Sequence, residues 1–448
     1  MPAVVVACSG PRDVADAVGL ARRRGLPLAV RGGGHSYAGH SSTDGVLILT
    51  HGLNSLALQD DLLTVGSGQT LGGVSDFLAR HGRLLPSGSC PTVGVAGIAL
   101  AGGFGWRGRL HGLTTDQVVA VSIVLADGSL CRVSATGEPE LFWALRGGGA
   151  GSFGVVTSLT LRTHPLAPLH AVHAVHALHA VHAGFPLPEA VDVIDRWQRH
   201  AHVLPDSVTL EVALTAPDHA DEPVAVELFG VAPDRDLLSA ALDALDVVPL
   251  APSLRWFGLD AGAAARYLAG RSDRRNEAFH QPPDPIGRPP FLYVKSEYFR
   301  RHLPRDTIAA LVENFAAQRV YGEYRDLEFT PWGGAYARVA PEATAFPHRD
   351  PLFMVSHTVL AGANAPAQQR ASAKGWLRRS WELLRPFGCG GVYPGYPDPD
   401  LDAWALAYYG ANLDRLSRAK SAYDPANLFR HAQSVPPAGA GVATMKDL

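Results

Sequence analysis

The sequence predicts an α+β chain made of more than one packed unit. Three observations carry this. The first third interleaves short Val/Ile/Leu runs, bounded by Gly, Pro and Asp, with stretches of helical periodicity. A glycine-dense region follows from Pro86 to Gly112, and beyond about Pro165 glycine thins while amphipathic helices and alternating strands appear. The 448 residues suffice for two or three units with sizeable cores.

The runs PAVVVAC, PLAVRGGG, GVLILT, LLTVGSG, VVAVSIVLADG and FGVVTSLTLRT read as buried strands. Between the first two, Val14, Ala17, Val18 and Ala21 recur at helical spacing, so Arg12 to Arg24 is a helix. A second helix is expected from Leu71 to His81. In the glycine-dense region the backbone is free to approach a ligand closely. A domain boundary falls near residues 165–185. Past it, helices are expected around Ala190 to His202 and Arg305 to Gln318, with strands SVTLEVALT and AVELFGV. The C-terminal stretch shows a helix with Leu413 and Leu416 inward, an Asp-Pro stop and a final extended piece.

Composition excludes several function classes. Acidic and basic residues nearly cancel at 42 against 39, and no Lys/Arg run interleaves with aromatics, which argues against a nucleic-acid groove. The four cysteines, Cys8, Cys90, Cys131 and Cys389, form no CxxC pair, so neither a zinc site nor a disulfide framework is signalled. No metal is expected. No secretory signal or membrane span is apparent, and the chain as given reads as cytoplasmic. Histidines 170, 173, 176, 179 and 182 repeat at period three, which matches neither a strand face nor a sustained helix face. A low-complexity expansion at the domain boundary explains them better than a metal site does.

Arg31-Gly32-Gly33-Gly34-His35-Ser36 follows a strand, so three glycines offer backbone N–H groups at its end, as a diphosphate cradle or as a tight turn. Two GxGxxG matches, at Gly103-Gly105-Gly108 and Gly149-Gly151-Gly154, raise a nicotinamide-dependent dehydrogenase as a competitor, with Asp127 at the right distance from the first. Their context opposes it. The first is followed by Arg-Leu-His-Gly-Leu and the second runs into a strand, where a dinucleotide fingerprint opens a helix.

The segments RGGGHSYAGHSSTDGVLIL, GSCPTVGVAGIALAGGFGWRGRLHGLTTDQVVAVSIVLADG and LFWALRGGGAGSFGVVTSLTLRTHP resemble the FAD-binding domain of the berberine bridge enzyme-like oxidases, within the vanillyl-alcohol oxidase class. GGAYARVAPEATAFPHR and YYGANLDRLSRAKSAYDPANLFRHAQSVPP extend the resemblance, so that it runs from residue 2 to residue 437 with a weaker middle. It implies a PCMH-type FAD-binding domain of two subdomains over residues 1–166. A substrate domain, with an antiparallel sheet covered by helices, would occupy 167–400, and a segment over 401–448 would return to the first domain. Members of the family usually carry a helix and strand ahead of the equivalent of Pro2, so a less well closed adenine side would lean more on covalent links.

By the same resemblance, His35 bonds the flavin 8α-methyl carbon and Cys90, within Gly88-Ser89-Cys90, bonds flavin C6. A soft thiol and an imidazole nitrogen are suited to those attacks. Cys8, Cys131 and Cys389 read as buried core residues. Further FAD contacts are implied for Arg31, Gly32, Gly33, Gly34, Ser36, Gly88, Ser89, Val93, Gly94, Gly97, Gly102, Gly103, Asp116, Gly154, Val155 and Val156. Val93 falls at the position that governs access of dioxygen, and valine there resembles the oxidases.

Hydride transfer to flavin N5 requires a group to remove the substrate's hydroxyl proton. Tyr393-Pro394-Gly395-Tyr396 resembles the family's Tyr-x-Asn-Tyr stretch, which implies Tyr396 as base with Tyr393 beside it, although Gly395 replaces the usual Asn. A phenol needs its pKa lowered from about 10, and His357 in FMVSHTVL is the candidate partner. Tyr409, Asn412 and Gln433 resemble positions near the flavin pyrimidine. The implied activity is oxidation of a CH–OH group of a sugar, a glycosylated metabolite or an aromatic secondary metabolite, with dioxygen giving hydrogen peroxide. A cyclase or dehydrogenase of the same family and a flavin-binding protein without turnover are the alternatives.

Overall fold

The computed structural model describes residues 1–166, 178–260, 263–264, 267–268 and 291–440. Three sheets position the site. The first is a small parallel sheet in the order Val4–Ala7, Val46–Leu49, Leu28–Arg31. A parallel neighbour requires a crossover, and the helix Pro11–Arg24 supplies it. That helix starts on Pro11, where a missing N–H costs nothing, and stops at Gly25, whose φ of 63° lets its N–H cap Ala21 and Arg22. Val14, Val18 and Ala21 are buried against the sheet, as their spacing requires.

The second sheet is antiparallel, in the order Leu56–Gln59, Leu62–Gly66, Val155–Arg162, Val118–Val124, Leu130–Ser134. The helix Leu71–Ala79 covers it, with Thr70 as N-cap accepting from the Gly73 N–H. The glycine-dense region is not all loop. It contains the short helices Val95–Ala101 and Gly108–His111, which glycine content hides from a periodicity reading.

The third sheet has seven antiparallel strands, in the order Ser253–Leu259, Leu178–Phe185, Ala225–Ala232, Thr209–Ala216, Glu323–Pro331, Phe353–Ala361, Phe291–Phe299. The helices Ala190–His200, Arg235–Leu245, Arg305–Ala316 and Ala367–Leu384 pack on one face, where Leu210, Val212, Leu214, Leu327, Phe329 and Val355 join their core. Period two then sends Glu211, Ala213, Glu328 and Ser356 to the other face. That face looks toward the first two sheets. The helix Leu413–Tyr423 buries Leu416 fully and half-buries Leu413 in the core of the second sheet, so the C-terminal segment returns there.

The end of the histidine-rich stretch is a strand, which the expansion reading did not anticipate. His182 stacks on Phe229 and bridges Glu227 at 3.0 Å and Arg255 at 2.9 Å. Histidines 170, 173 and 176 lie outside the described residues. Among the described residues, no cluster could hold a metal, no cysteine is in a disulfide, and no helix is long and apolar enough to cross a membrane.

Candidate active site

A cleft of about 370 Å³ runs between the first two sheets, the bare face of the third and the C-terminal segment. Its glycine-rich wall includes a close backbone approach. The strand Leu28–Arg31 ends in Gly32-Gly33-Gly34, and a Cβ on Gly33 would lie 2.3 Å from the Gly94 nitrogen and 2.7 Å from the Thr92 carbonyl oxygen. A Cβ on Gly94 would lie 2.6 Å from the Gly33 nitrogen. The two loops interlock through bare backbone, which only glycine permits. Gly34, with φ of 76°, turns the chain into His35.

The interlock brings together residues 55 positions apart. His35 Nε2 lies 2.9 Å from the Thr92 hydroxyl, and Cys90 Sγ lies 3.6 Å from the same oxygen. Both side chains line the cleft. Burial lowers the pKa of His35, so its imidazole is neutral and keeps a nucleophilic nitrogen lone pair. Burial raises the Cys90 pKa, while hydrogen bonds from the Thr92 side chain and from the Thr92 and Val93 backbone act the other way. Thr92 carried no signal in the sequence reading.

The same cleft is also lined by aromatic and acidic side chains. Tyr396 lies 5.5 Å from Tyr37, 5.0 Å from Tyr393 and 5.8 Å from Phe104, ring centre to ring centre. Glu211 and Glu328 line the same space from adjacent strands, Glu328 standing opposite Ala213 in the register. The Tyr396 pKa is pushed well above the usual phenol value, first by burial and then by the charges near it, Glu328 and Glu211 among them. Tyr393 is locked, because its hydroxyl accepts the Gly103 N–H at 2.9 Å and its own N–H donates to Ser296 Oγ at 3.1 Å. A Cβ on Gly395 would lie 2.5 Å from the Tyr393 ring, which explains why glycine stands where an asparagine was expected.

A cleft with a glycine-built backbone cradle, two nucleophiles on its wall and a cluster of aromatics suits a dinucleotide with a reactive ring. The residues fit FAD. Residues 2–134 match the model of an FAD binding domain, and residues 392–436 match the model described as berberine and berberine like. With these two domains and its relatives, the chain is similar to the berberine bridge enzyme-like FAD-linked oxidoreductases. It is 28% identical to an uncharacterised FAD-linked oxidoreductase of Bacillus subtilis (strain 168), over 97% of this chain and 91% of that protein. It is also 28% identical to a chitooligosaccharide oxidase of Gibberella zeae, over 97% of this chain and 87% of that protein. A solved structure of a chitooligosaccharide oxidase superposes with a TM-score of 0.83 at 25% identity, covering 98% of this chain and 92% of that one.

Not every residue implied by the berberine bridge enzyme-like resemblance reaches the cleft. Gly32, Gly33, Gly34, His35, Ser36, Gly88, Ser89, Cys90, Val93, Gly94, Gly97, Gly154, Val156, Tyr393, Tyr396, Tyr409 and Gln433 line it. Arg31 instead braces the following loop, donating to the Ser41 carbonyl at 3.1 Å and to Ser42 Oγ at 2.8 Å. Gly102 and Gly103 lie behind the wall against Phe346, Tyr393 and Thr114, and Val155 belongs to the core of the first sheet. Asp116 is committed to a bidentate pair with the buried Arg349 at 2.8 and 2.9 Å. Asn412 donates to the carbonyls of Pro341 and Thr344.

His357 is a correction of substance. It alternates onto the helix-covered face, where its Nδ1 pairs with Ser380 Oγ at 2.9 Å, and burial lowers its pKa to about 3. It is fully buried away from Tyr396 and does not lower that phenol's pKa. Glu211 and Glu328 are the charged groups that the sequence reading missed. Glu211 is a lone carboxylate in the apolar strand TLEVALT and so carried a signal, whereas Glu328 shares its strand with Glu323 and Asp326 and carried none.

Proposed function

We propose that this enzyme is an oxidase holding FAD through two covalent links, at His35 and Cys90, and oxidising a CH–OH group of a sugar, a glycosylated metabolite or an aromatic secondary metabolite. The convergence of His35 and Cys90 on the one Thr92 hydroxyl carries the attachment. FAD, when bound, supplies the hydride acceptor, and dioxygen takes the two electrons onward to give hydrogen peroxide.

The chain's own residues handle the proton. A phenol whose surroundings raise its pKa is a poor stored base, so Tyr396 acts by passing the substrate's hydroxyl proton onward as it accepts it. The carboxylates of Glu328 and Glu211, whose charges act on the phenol, are the final acceptors. Tyr37, Phe104, Trp106 and Tyr396 offer ring faces to a flat substrate. The relative named as a chitooligosaccharide oxidase supports a carbohydrate with stacked rings, and Val93 on the cleft wall supports dioxygen as the oxidant.

The test begins with an absorption spectrum before and after acid precipitation, with mass analysis of the pellet's peptides. Yellow pellet and FAD mass on both the His35 and Cys90 peptides are expected. A colourless pellet rejects covalent attachment. Peroxide release on N,N′-diacetylchitobiose, cellobiose and coniferyl alcohol then sorts the substrate class.

A further inference from the structure

We infer that Lys295 and Asp398 are positioning residues for Tyr396, setting the geometry of proton removal from a point outside the cleft. The inference rests on the reading of Tyr396 as the proton-handling group. Tyr396 sits in an irregular segment with no regular ladder of its own, so its placement must come from what ties that segment down.

The ties are concentrated on one strand. Along Phe291–Phe299, the Tyr298 N–H donates to the Gly391 carbonyl at 3.0 Å and Glu297 Oε1 accepts from the Gly390 N–H at 2.9 Å. Ser296 Oγ then takes the Tyr393 N–H, and Lys295 Nζ reaches Asp398 Oδ2 at 2.5 Å. The strand therefore grips the segment residue by residue, and the last grip, two residues past Tyr396, is an ion pair only 5% exposed on each side.

Asp398 is also a junction for the C-terminal segment. Its N–H donates to the Tyr408 hydroxyl at 2.9 Å, and its carbonyl accepts from Gln433 Nε2 at 2.7 Å. Tyr408 in turn donates to Gln433 Oε1 at 3.3 Å. One residue thus joins the substrate sheet, the helix Trp404–Tyr409 and the terminal stretch that lines the cleft. On the strand side, Lys295 also lies 4.7 Å over the Trp381 ring, which limits where its ammonium can go. A buried pair with excellent geometry gives little net stability compared with apolar residues, but it specifies one arrangement. Here that arrangement is the path from Tyr393 to Asp398.

The experiment compares Asp398→Asn and the paired Lys295→Met/Asp398→Leu variant with Tyr396→Phe, all as flavin-loaded full chains. The paired variant leaves no uncompensated charge, so it folds even if the single one does not. Flavin reduction is followed by anaerobic rapid mixing with N,N′-diacetylchitobiose, and amide exchange is followed over residues 392–398. Expected are a loss of reduction rate of roughly tenfold or more with KM within about twofold, covalent flavin content unchanged, and faster exchange at Tyr396 and Asp398 but not at Val355. A rate equal to the parent's while Tyr396→Phe is slow overturns the inference, as does unchanged exchange at Tyr396 in the paired variant. If Tyr396→Phe is itself as fast as the parent, the proton-handling reading fails, and exchange alone then decides whether the pair positions the segment. Exchange alone also decides if the parent does not oxidise the probe.

Discussion

Replacing Gly33 with alanine is the sharpest perturbation of the cofactor cradle. The added Cβ would sit 2.3 Å from the Gly94 nitrogen, 2.7 Å from the Thr92 oxygen and 3.0 Å from the Val93 carbonyl carbon, all backbone atoms that cannot rotate away. Ordinary contact begins near 3.4 Å, so the two loops must part by about 1 Å. Overpacking of this kind costs about 1–3 kcal/mol. At roughly 2–4 °C per kcal/mol for a domain of this size, the melting temperature should fall by several degrees. The larger effect is chemical, because parting the loops separates His35 from Thr92 and Cys90. Covalent flavin, measured by colour retained after acid precipitation and by peptide mass, should drop to single attachment or none. Gly362→Ala is the control, since a Cβ there meets nothing within 4 Å. A Gly33→Ala protein with both links intact and an unchanged melt would refute the view that interlocked backbone aligns the two nucleophiles.

Three other perturbations test separate parts of the site. Glu328→Gln removes a charge that raises the Tyr396 pKa, so the phenol ionises at lower pH, yet the final proton acceptor is weakened. Turnover should fall on the order of 10²-fold with its alkaline limb shifted downward, read from pH–rate profiles. Asp116→Asn should leave the flavin spectrum intact but destabilise the chain by about 3–5 kcal/mol, because it strands the buried Arg349; a denaturant titration measures this. His40 and His431, stacked 4.0 Å apart in the cleft wall, have pKa values lowered to about 4 and about 3 by burial. Their neutral forms are the folded ones, so the stability they contribute is complete above the ordinary value of 6.5 and is lost as pH falls toward 4 and then 3. Proteolysis of the C-terminal segment should accelerate over that window, and a flat profile would count against the stack as a fastening.

How much was legible in the sequence follows from what each feature depends on. The first helix and the strands around it were legible because period and terminators are local, as Val14, Val18 and Gly25 show. That His35, Cys90 and Tyr396 fall on one cleft was legible because each stands in a short motif whose backbone shape is set by adjacent glycines or tyrosines. Motif membership, however, says which residue is near a site and not which way it points. Asp116, Asn412 and His357 are near, and each side chain turns to a structural partner instead. Thr92 escaped notice because its role depends on Gly33 meeting Gly94, a contact between loops. Glu211 stands out locally as a lone carboxylate in an apolar strand, but its meeting with Glu328 depends on the register of strands 117 positions apart, which no local pattern reveals.

Two parts of the cleft lining are built on different principles, and this bears on how the enzyme can change. Where Gly33 meets Gly94, position is set by backbone against backbone, so a side chain added at either is a collision. On the sheet side, Glu211 and Glu328 occupy the free face of strands whose alternate residues, Leu210, Val212, Leu327 and Phe329, hold the core. Substitutions on that free face leave the core contacts intact, because period two separates the two sets of side chains. Tyr396 belongs to neither regime. It is held by a segment clamped between Ser296, Lys295, Tyr408 and Gln433, each from a different part of the chain or a different rung of one strand. Substrate preference can therefore drift on the sheet face while cofactor attachment and the placement of the phenol stay fixed, which is the physical condition for one fold to oxidise chemically different alcohols.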